Sequence, residues 1–261
     1  MADKSKPAVP FSSYVPKVAI VTGGAQGLGL AIAYRLADDG INIAINDIHS
    51  KEAQIDAAAQ EIRKKGRRAI AVAGDVSSEA DVISMIERTV NELGSLDIMV
   101  ANAGIVAIKS VFETTLELFE TIHAVNTRGV FLCLKHAAIQ MVKQGRGGRL
   151  IAASSMAGKQ GYSGNSAYSA SKFAVRGMTQ SMSKELSEYG ITVNTYAPGA
   201  IRTNMLHENK VSEDVIKMIT ERLPHGNPED VASLVSYLAK PESYFINGQS
   251  VTIDGGATHF D

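Results

Sequence analysis

The run Lys17-Val-Ala-Ile-Val-Thr22-Gly23-Gly-Ala-Gln-Gly27-Leu-Gly29 sets spaced glycines between an apolar, β-branched stretch and a helical pattern. An unbroken apolar run of that length reads as a strand buried on both faces, as parallel strands are. Beyond it, Leu30, Ala33, Tyr34, Leu36 and Ala37 recur at helical spacing. A glycine turn between strand and helix lets backbone N–H groups approach a pyrophosphate, and the helix N-terminus adds partial positive charge. The next apolar strand, Ile41-Asn-Ile-Ala-Ile-Asn-Asp47, ends on an acid about twenty residues further on. A carboxylate there can accept hydrogen bonds from adenosine ribose hydroxyls. The spacing predicts a dinucleotide site.

The alternation continues to the end of the chain. Strands are predicted over 17–22, 41–46, 69–73, 96–101, 149–154, 191–196 and 250–253, and helices over 27–39, 50–65, 78–93, 116–144, 166–189 and 228–239. Strands alternating with helices imply an α/β fold: a doubly wound parallel sheet (Rossmann fold) in three layers. A chain of 261 residues suits one such domain, placed at 15–261 behind a loose, polar, proline-containing tail at 1–14. The tail lacks the apolar core of a secretory signal, and no apolar run approaches bilayer length. A net charge of −1 gives no nucleic-acid footprint. The lone Cys133 sits in an apolar helical stretch and permits a reducing compartment, so a cytoplasmic location is expected. The six histidines show no ligand spacing, and no metal is expected.

Chemistry is carried by Ser166-Ala-Tyr168-Ser-Ala-Ser-Lys172. On a helix, Tyr168 and Lys172 share a face. An ammonium beside a phenol lowers its pKa, and a phenol so tuned can exchange a proton with a carbonyl or alcohol oxygen. Ser155, at the end of the preceding strand, could hold that same oxygen. Ser154, beside it, competes for the role.

Thr22-Gly-x-x-x-Gly-x-Gly29, Asp75-Val76, Asn102-Ala-Gly104, Val125-Asn126, Ser155, Tyr168-x-x-x-Lys172 and Pro198-Gly199 stand in one order along the chain. In this the sequence resembles the compact single-domain members of the short-chain dehydrogenase/reductase family, from about Val15 to Gly256. It departs from them at Ala101, which replaces the first asparagine of the usual Asn-Asn-Ala-Gly run. The resemblance implies a catalytic set of Asn126, Ser155, Tyr168 and Lys172. Tyr168 would be the general acid in reduction and the base in oxidation, with Lys172 tuning it and holding the nicotinamide ribose. Asn126 would bend its helix and hold a water linking Lys172 to solvent. The dinucleotide would lie on Gly23, Gln26, Gly27, Leu28 and Gly29, on Asp47 and Ile48, and on Asp75 and Val76 at the adenine. It would continue over Asn102, Ala103 and Gly104, Tyr168 and Lys172, then Pro198, Gly199, Ile201 and Thr203 at the nicotinamide. The stretch 203–224 would act as a substrate lid. The resemblance also implies a homotetramer, with helices 116–144 and 166–189 pairing across one axis.

Cofactor choice has a physical argument: Asp47 would repel a 2′-phosphate and bind a 2′-hydroxyl, so NAD(H) is expected over NADP(H). For the substrate, the blocks 143–162, 168–180 and 190–199 and the tail 247–256 resemble acetoin/diacetyl reductases (2,3-butanediol dehydrogenases). A small ketone or alcohol, here a vicinal diketone or hydroxyketone, would sit among Ser155, Met156, Gln160, Tyr162, Tyr168 and Met205, with Leu206 and Gly158 nearby. Gln160 could hold a second substrate oxygen. Polyol and sugar-alcohol dehydrogenases share much of this pattern, and a non-enzymatic dinucleotide sensor is the reading from a different class. Too few residues follow Pro198 for the larger substrate domain of extended, epimerase-type relatives.

Overall fold

The computed structural model describes residues 14–205, 211, 212, 214, 216, 217 and 224–258. The tail at 1–13, Leu206 and most of the expected lid lie outside the described residues. Seven parallel strands form one sheet in the order β3-β2-β1-β4-β5-β6-β9. They are β1 (Val18–Thr22), β2 (Asn42–Asp47), β3 (Ala69–Ala73), β4 (Ile98–Ala101), β5 (Gly148–Ala153), β6 (Ile191–Pro198) and β9 (Ser250–Ile253). Two-residue strands β7 (Ala200–Ile201) and β8 (His225–Gly226) pair separately.

Helices cover both faces. On one side α1 (Gly27–Asp38), α2 (Glu52–Lys64) and α7 (Pro228–Ala239) enclose a core with Ile43, Ile45, Ile98 and Tyr196. On the other, α3 (Glu79–Leu93), α5 (Val130–Gln144) and α6 (Ser166–Leu186) enclose Ile20, Met99, Leu150 and Val193. Alternate residues of each strand thus enter different cores, and β1, β4, β5 and β6 are buried along their whole length. That accounts for their continuous apolar runs. The sheet reverses its order between β1 and β4, and ligands of such sheets bind in the crevice this opens at the strand C-termini.

Two expectations needed correction. The helix expected over 116–144 is broken: α4 (Leu116–His123) passes through a π turn, Ala124–Gly129, before α5. Tyr14, counted with the loose tail, is 2% exposed; it donates to the Ala239 carbonyl (3.0 Å) and stacks its ring on Arg149. Among the described residues no helix is long and apolar enough to cross a membrane.

Candidate active site

The glycine turn has the backbone its glycines allow. Gly23 and Gly27 adopt φ of +63° and +55°. A Cβ on Gly29 would lie 2.1 Å from the Gly23 carbonyl oxygen, so α1 begins hard against the turn. No acidic residue stands in the first turn of α1, and no side-chain cap bond forms at its N-cap, Gln26. The first N–H groups of a helix have no intrahelical partner and can receive an anion. Across the opening, a Cβ on Gly27 would meet Thr203 alone among the described residues, at 3.5 Å.

Asp47 ends β2 beside this turn. Its carboxylate accepts from the backbone N–H of Ala25 (3.0 Å) and of Ile48 (2.9 Å), which leaves lone pairs on both oxygens for ribose hydroxyls. Asp75 accepts from Ser77 N–H (2.8 Å), Ser78 caps α3, and Val76 is buried against Gly129. A dinucleotide therefore fits on observations of the turn: glycines where a Cβ would collide, and a carboxylate one strand away.

Asn102 joins the turn to β4. Its Nδ2 donates to the carbonyls of Thr22 (2.9 Å) and Gly23 (3.2 Å), and its Oδ1 accepts from the Tyr196 hydroxyl (2.7 Å). Thr22 Oγ1 in turn accepts from the N–H groups of Asn102 and Ala103, both at 3.0 Å. Thr22 entered the sequence reading only as the head of the glycine motif, and Tyr196 was not singled out. A buried tyrosine two residues before Pro198 was the available signal, since a buried phenol needs a partner.

Tyr168 and Lys172 project from α6 beneath the end of β5. The Lys172 ammonium is buried, donates to the Ala153 carbonyl (2.9 Å) and lies 5.6 Å from the Tyr168 ring centroid. Burial pulls its pKa down to about 8. The Tyr168 phenol is pushed up by burial and drawn back by a hydrogen bond with Ser155. The expected lowering by Lys172 is absent from this balance, because the ammonium faces the ring and the Ala153 carbonyl. Ser155 stands in extended backbone and accepts from Ala157 N–H (3.1 Å), while Ser154 donates to the Lys172 carbonyl (3.3 Å). The two serines have separate jobs: Ser155 faces the phenol and Ser154 pins the helix. Gly158 packs against that carbonyl, where a Cβ would lie 2.8 Å from it.

Asn126 is fully buried in the π turn, and such turns recur at functional sites. Its side chain is occupied by protein: Oδ1 accepts from Ile105 N–H (2.9 Å), and Nδ2 donates to the Ile105 carbonyl (2.8 Å) and to Ser171 Oγ (3.1 Å). Gly104 lies between Asn126 and Lys172, since a Cβ there would sit 3.2 Å from Oδ1 and 3.5 Å from Nζ.

The substrate candidates divide. Gln160 and Tyr162 are paired, Nε2 donating to the phenolic oxygen at 2.7 Å. Met156 is 5% exposed beneath the Pro198-Gly199 turn, where a Cβ on Gly199 would meet its Sδ at 3.0 Å. Ile201 is held by the β7–β8 pair, and Met205 is half-buried at the margin of the described residues.

Residues 23–258 match a family model described as enoyl-(acyl carrier protein) reductase. The chain is 49% identical to the short-chain dehydrogenase/reductase eriH of Hericium erinaceus, over 92% of this chain and 96% of that protein. It is 38% identical to a diacetyl reductase, (S)-acetoin forming, of Staphylococcus epidermidis, over 93% and 99%. Among solved structures, a short-chain dehydrogenase from Burkholderia cenocepacia in complex with NADP shares 36% identity with a TM-score of 0.84, over 92% and 97%.

Proposed function

The chain belongs to the short-chain dehydrogenase/reductase family, and on that premise we propose that it moves hydride between NAD(H) and a vicinal diketone or hydroxyketone such as diacetyl or acetoin. It is an oxidoreductase of alcohols and ketones that uses a nicotinamide dinucleotide. The observation that carries the proposal is a run of contacts at the C-terminal edge of the sheet: Ser155 meets the Tyr168 phenol, Lys172 lies against the Tyr168 ring, and Gly104 lies against Lys172 and Asn126.

Gly23, Gln26, Gly27, Leu28 and Gly29 would hold the pyrophosphate, Asp47 and Ile48 the adenosine ribose, and Asp75 and Val76 the adenine. Asn102, Ala103, Gly104, Pro198, Gly199, Ile201 and Thr203 would frame the nicotinamide. When bound, the dinucleotide supplies or accepts the hydride. Ser155 donates a hydrogen bond to the substrate oxygen. Tyr168 gives that oxygen a proton in reduction and removes it in oxidation. Lys172, its Nζ 5.6 Å from the Tyr168 ring centroid, would stabilise negative charge on the phenol as the proton leaves.

The Gln160–Tyr162 pair supports a substrate with a second oxygen. The amide nitrogen occupies a lone pair of the phenol and leaves its proton to be donated. Asp47 supports NAD(H), because its charge opposes a 2′-phosphate. Exposed Phe119, Phe131, Ile139, Val142 and Phe173 on α4, α5 and α6 support self-association, which we take to be tetrameric.

The test follows nicotinamide absorbance with diacetyl and either NADH or NADPH, in the wild type and in Asp47→Ala. Oxidation of NADH with little of NADPH is expected. Asp47→Ala should move the ratio of kcat/KM toward NADPH by about tenfold, the effect of roughly 1.4 kcal/mol. Equal use of both dinucleotides by the wild type would overturn the NAD(H) assignment. No turnover of diacetyl with either would overturn the substrate.

A further inference from the structure

Ser171 is fully buried, one residue before Lys172 and one helical turn after Tyr168. Its hydroxyl has a single proton, and that proton goes to the Tyr168 carbonyl at 2.6 Å. Toward Asn126, 3.1 Å away, the hydroxyl can then only accept. This decides which way round the Asn126 amide stands. Nitrogen must face Ser171, so Oδ1 is the atom presented to Ile105 N–H. Ile105 directly follows Gly104, which lies against both Asn126 and Lys172. Three elements meet at this amide: the loop after β4, the π turn and α6.

We propose that Ser171 is a positioning residue for the reaction, its hydroxyl tying the helix that carries Tyr168 and Lys172 to the Asn126 amide and so to the loop after β4. The proposal rests on the reading of Tyr168 and Lys172 as the catalytic pair. Without the hydroxyl, Asn126 keeps Ile105 and loses α6. The proton donor on α6 and the loop at the nicotinamide end of the crevice are then free to shift against each other. A step in which proton and hydride move together is sensitive to displacements well under an ångström.

The test compares Ser171→Ala, Ser171→Cys, Asn126→Ala and the Ser171→Ala/Asn126→Ala double variant with the wild type, using diacetyl and NADH. Ser171→Ala should lower kcat about tenfold, with KM and the NADH Kd within about twofold of wild type. Ser171→Cys, a weaker acceptor toward Asn126 and a weaker donor toward Tyr168, should fall between. The double variant should lose little more than the worse single variant, because one link is broken either way. Amide exchange at Ile105 and through 124–129 should quicken in Ser171→Ala, a readout that needs no turnover. Unchanged exchange, unchanged kcat, or losses that multiply in the double variant would overturn the proposal. Tyr168→Phe separates the two readings: it should cost about 10²–10⁴ in kcat. An inactive Tyr168→Phe beside an unaffected Ser171→Ala would remove the positioning role alone. An active Tyr168→Phe would remove the catalytic pair itself.

Discussion

Lys172 carries its ammonium into the protein, and its charge costs the fold something until the proton leaves. Its pKa falls from an ordinary 10.5 to about 8 through burial. In the dinucleotide-free protein, the unfolded chain therefore binds more protons at this site between those values. Stability from this group rises with pH across that window. Tyr14, Tyr168 and Tyr196 have the opposite sign: burial raises their pKa values, so their contribution is complete below about pH 10 and lost above it. Urea titrations from pH 7 to 10 should show wild-type stability gaining on Lys172→Met as pH rises. A constant gap between the two would mean that the ammonium is solvated. The Tyr168-x-x-x-Lys172 spacing is plain in the sequence, but the balance of burial against charge is not. It depends on where Ala153 places its carbonyl.

At the scale of elements, the π turn decides most. The sequence reads as one helix over 116–144 because its apolar period barely breaks at Val125, Asn126 and Thr127. What breaks it is tertiary: Asn126 bonds to Ile105 and Ser171, and Gly129 must clear Val76. A Cβ on Gly129 would lie 2.8 Å from Val76 Cγ2 and 3.2 Å from its carbonyl oxygen. Two effects oppose each other in Gly129→Ala. Propensity favours alanine in a helix by about 1 kcal/mol. Overpacking against a stiff, branched neighbour costs about 1–3 kcal/mol. Val76 can retreat only by moving its own backbone, so overpacking wins. Gly129→Ala should unfold at lower urea and bind NADH more weakly, since Val76 is a candidate adenine contact. A variant at least as stable as wild type, with unchanged NADH affinity, would contradict this balance.

Across the whole molecule, the two ends of the sheet have different tasks. The C-terminal edge carries the candidate site. At the other edge, Arg149, second in β5, is fully buried and donates to the carbonyls of Gly148 (3.0 Å), Lys240 (3.2 Å) and Pro241 (3.3 Å), its guanidinium 3.9 Å from the Tyr14 ring centroid. A cation at the C-terminus of α7 also meets the negative end of that helix. Arg149→Met takes the guanidinium donors from each of these carbonyls, although Lys240 keeps the Ser243 hydroxyl and Pro241 keeps Tyr244 N–H, and should cost about 1–3 kcal/mol in urea unfolding. NADH affinity should not change, because the sheet's length separates Arg149 from the glycine turn. A matching loss of affinity would show that the two ends are coupled.

The alternation of strand and helix, the glycine turn, Asp47, and the i, i+4 pairing of Tyr168 with Lys172 are all legible in the sequence. They depend on local geometry: the two-residue period of a strand, the 3.6-residue period of a helix, and the steric freedom of glycine. The packing of Tyr14, the π turn, the orientation of the Asn126 amide, and the Tyr196–Asn102 and Ser171–Asn126 bonds are not. Each joins residues far apart in the chain, and which donor meets which acceptor is settled only when the sheet brings β4, β6 and α6 together. Periodicity specifies which side of an element faces inward. The close-packed interior decides what each buried polar atom finds there, because a hydrogen bond is worth making only at its own distance and direction.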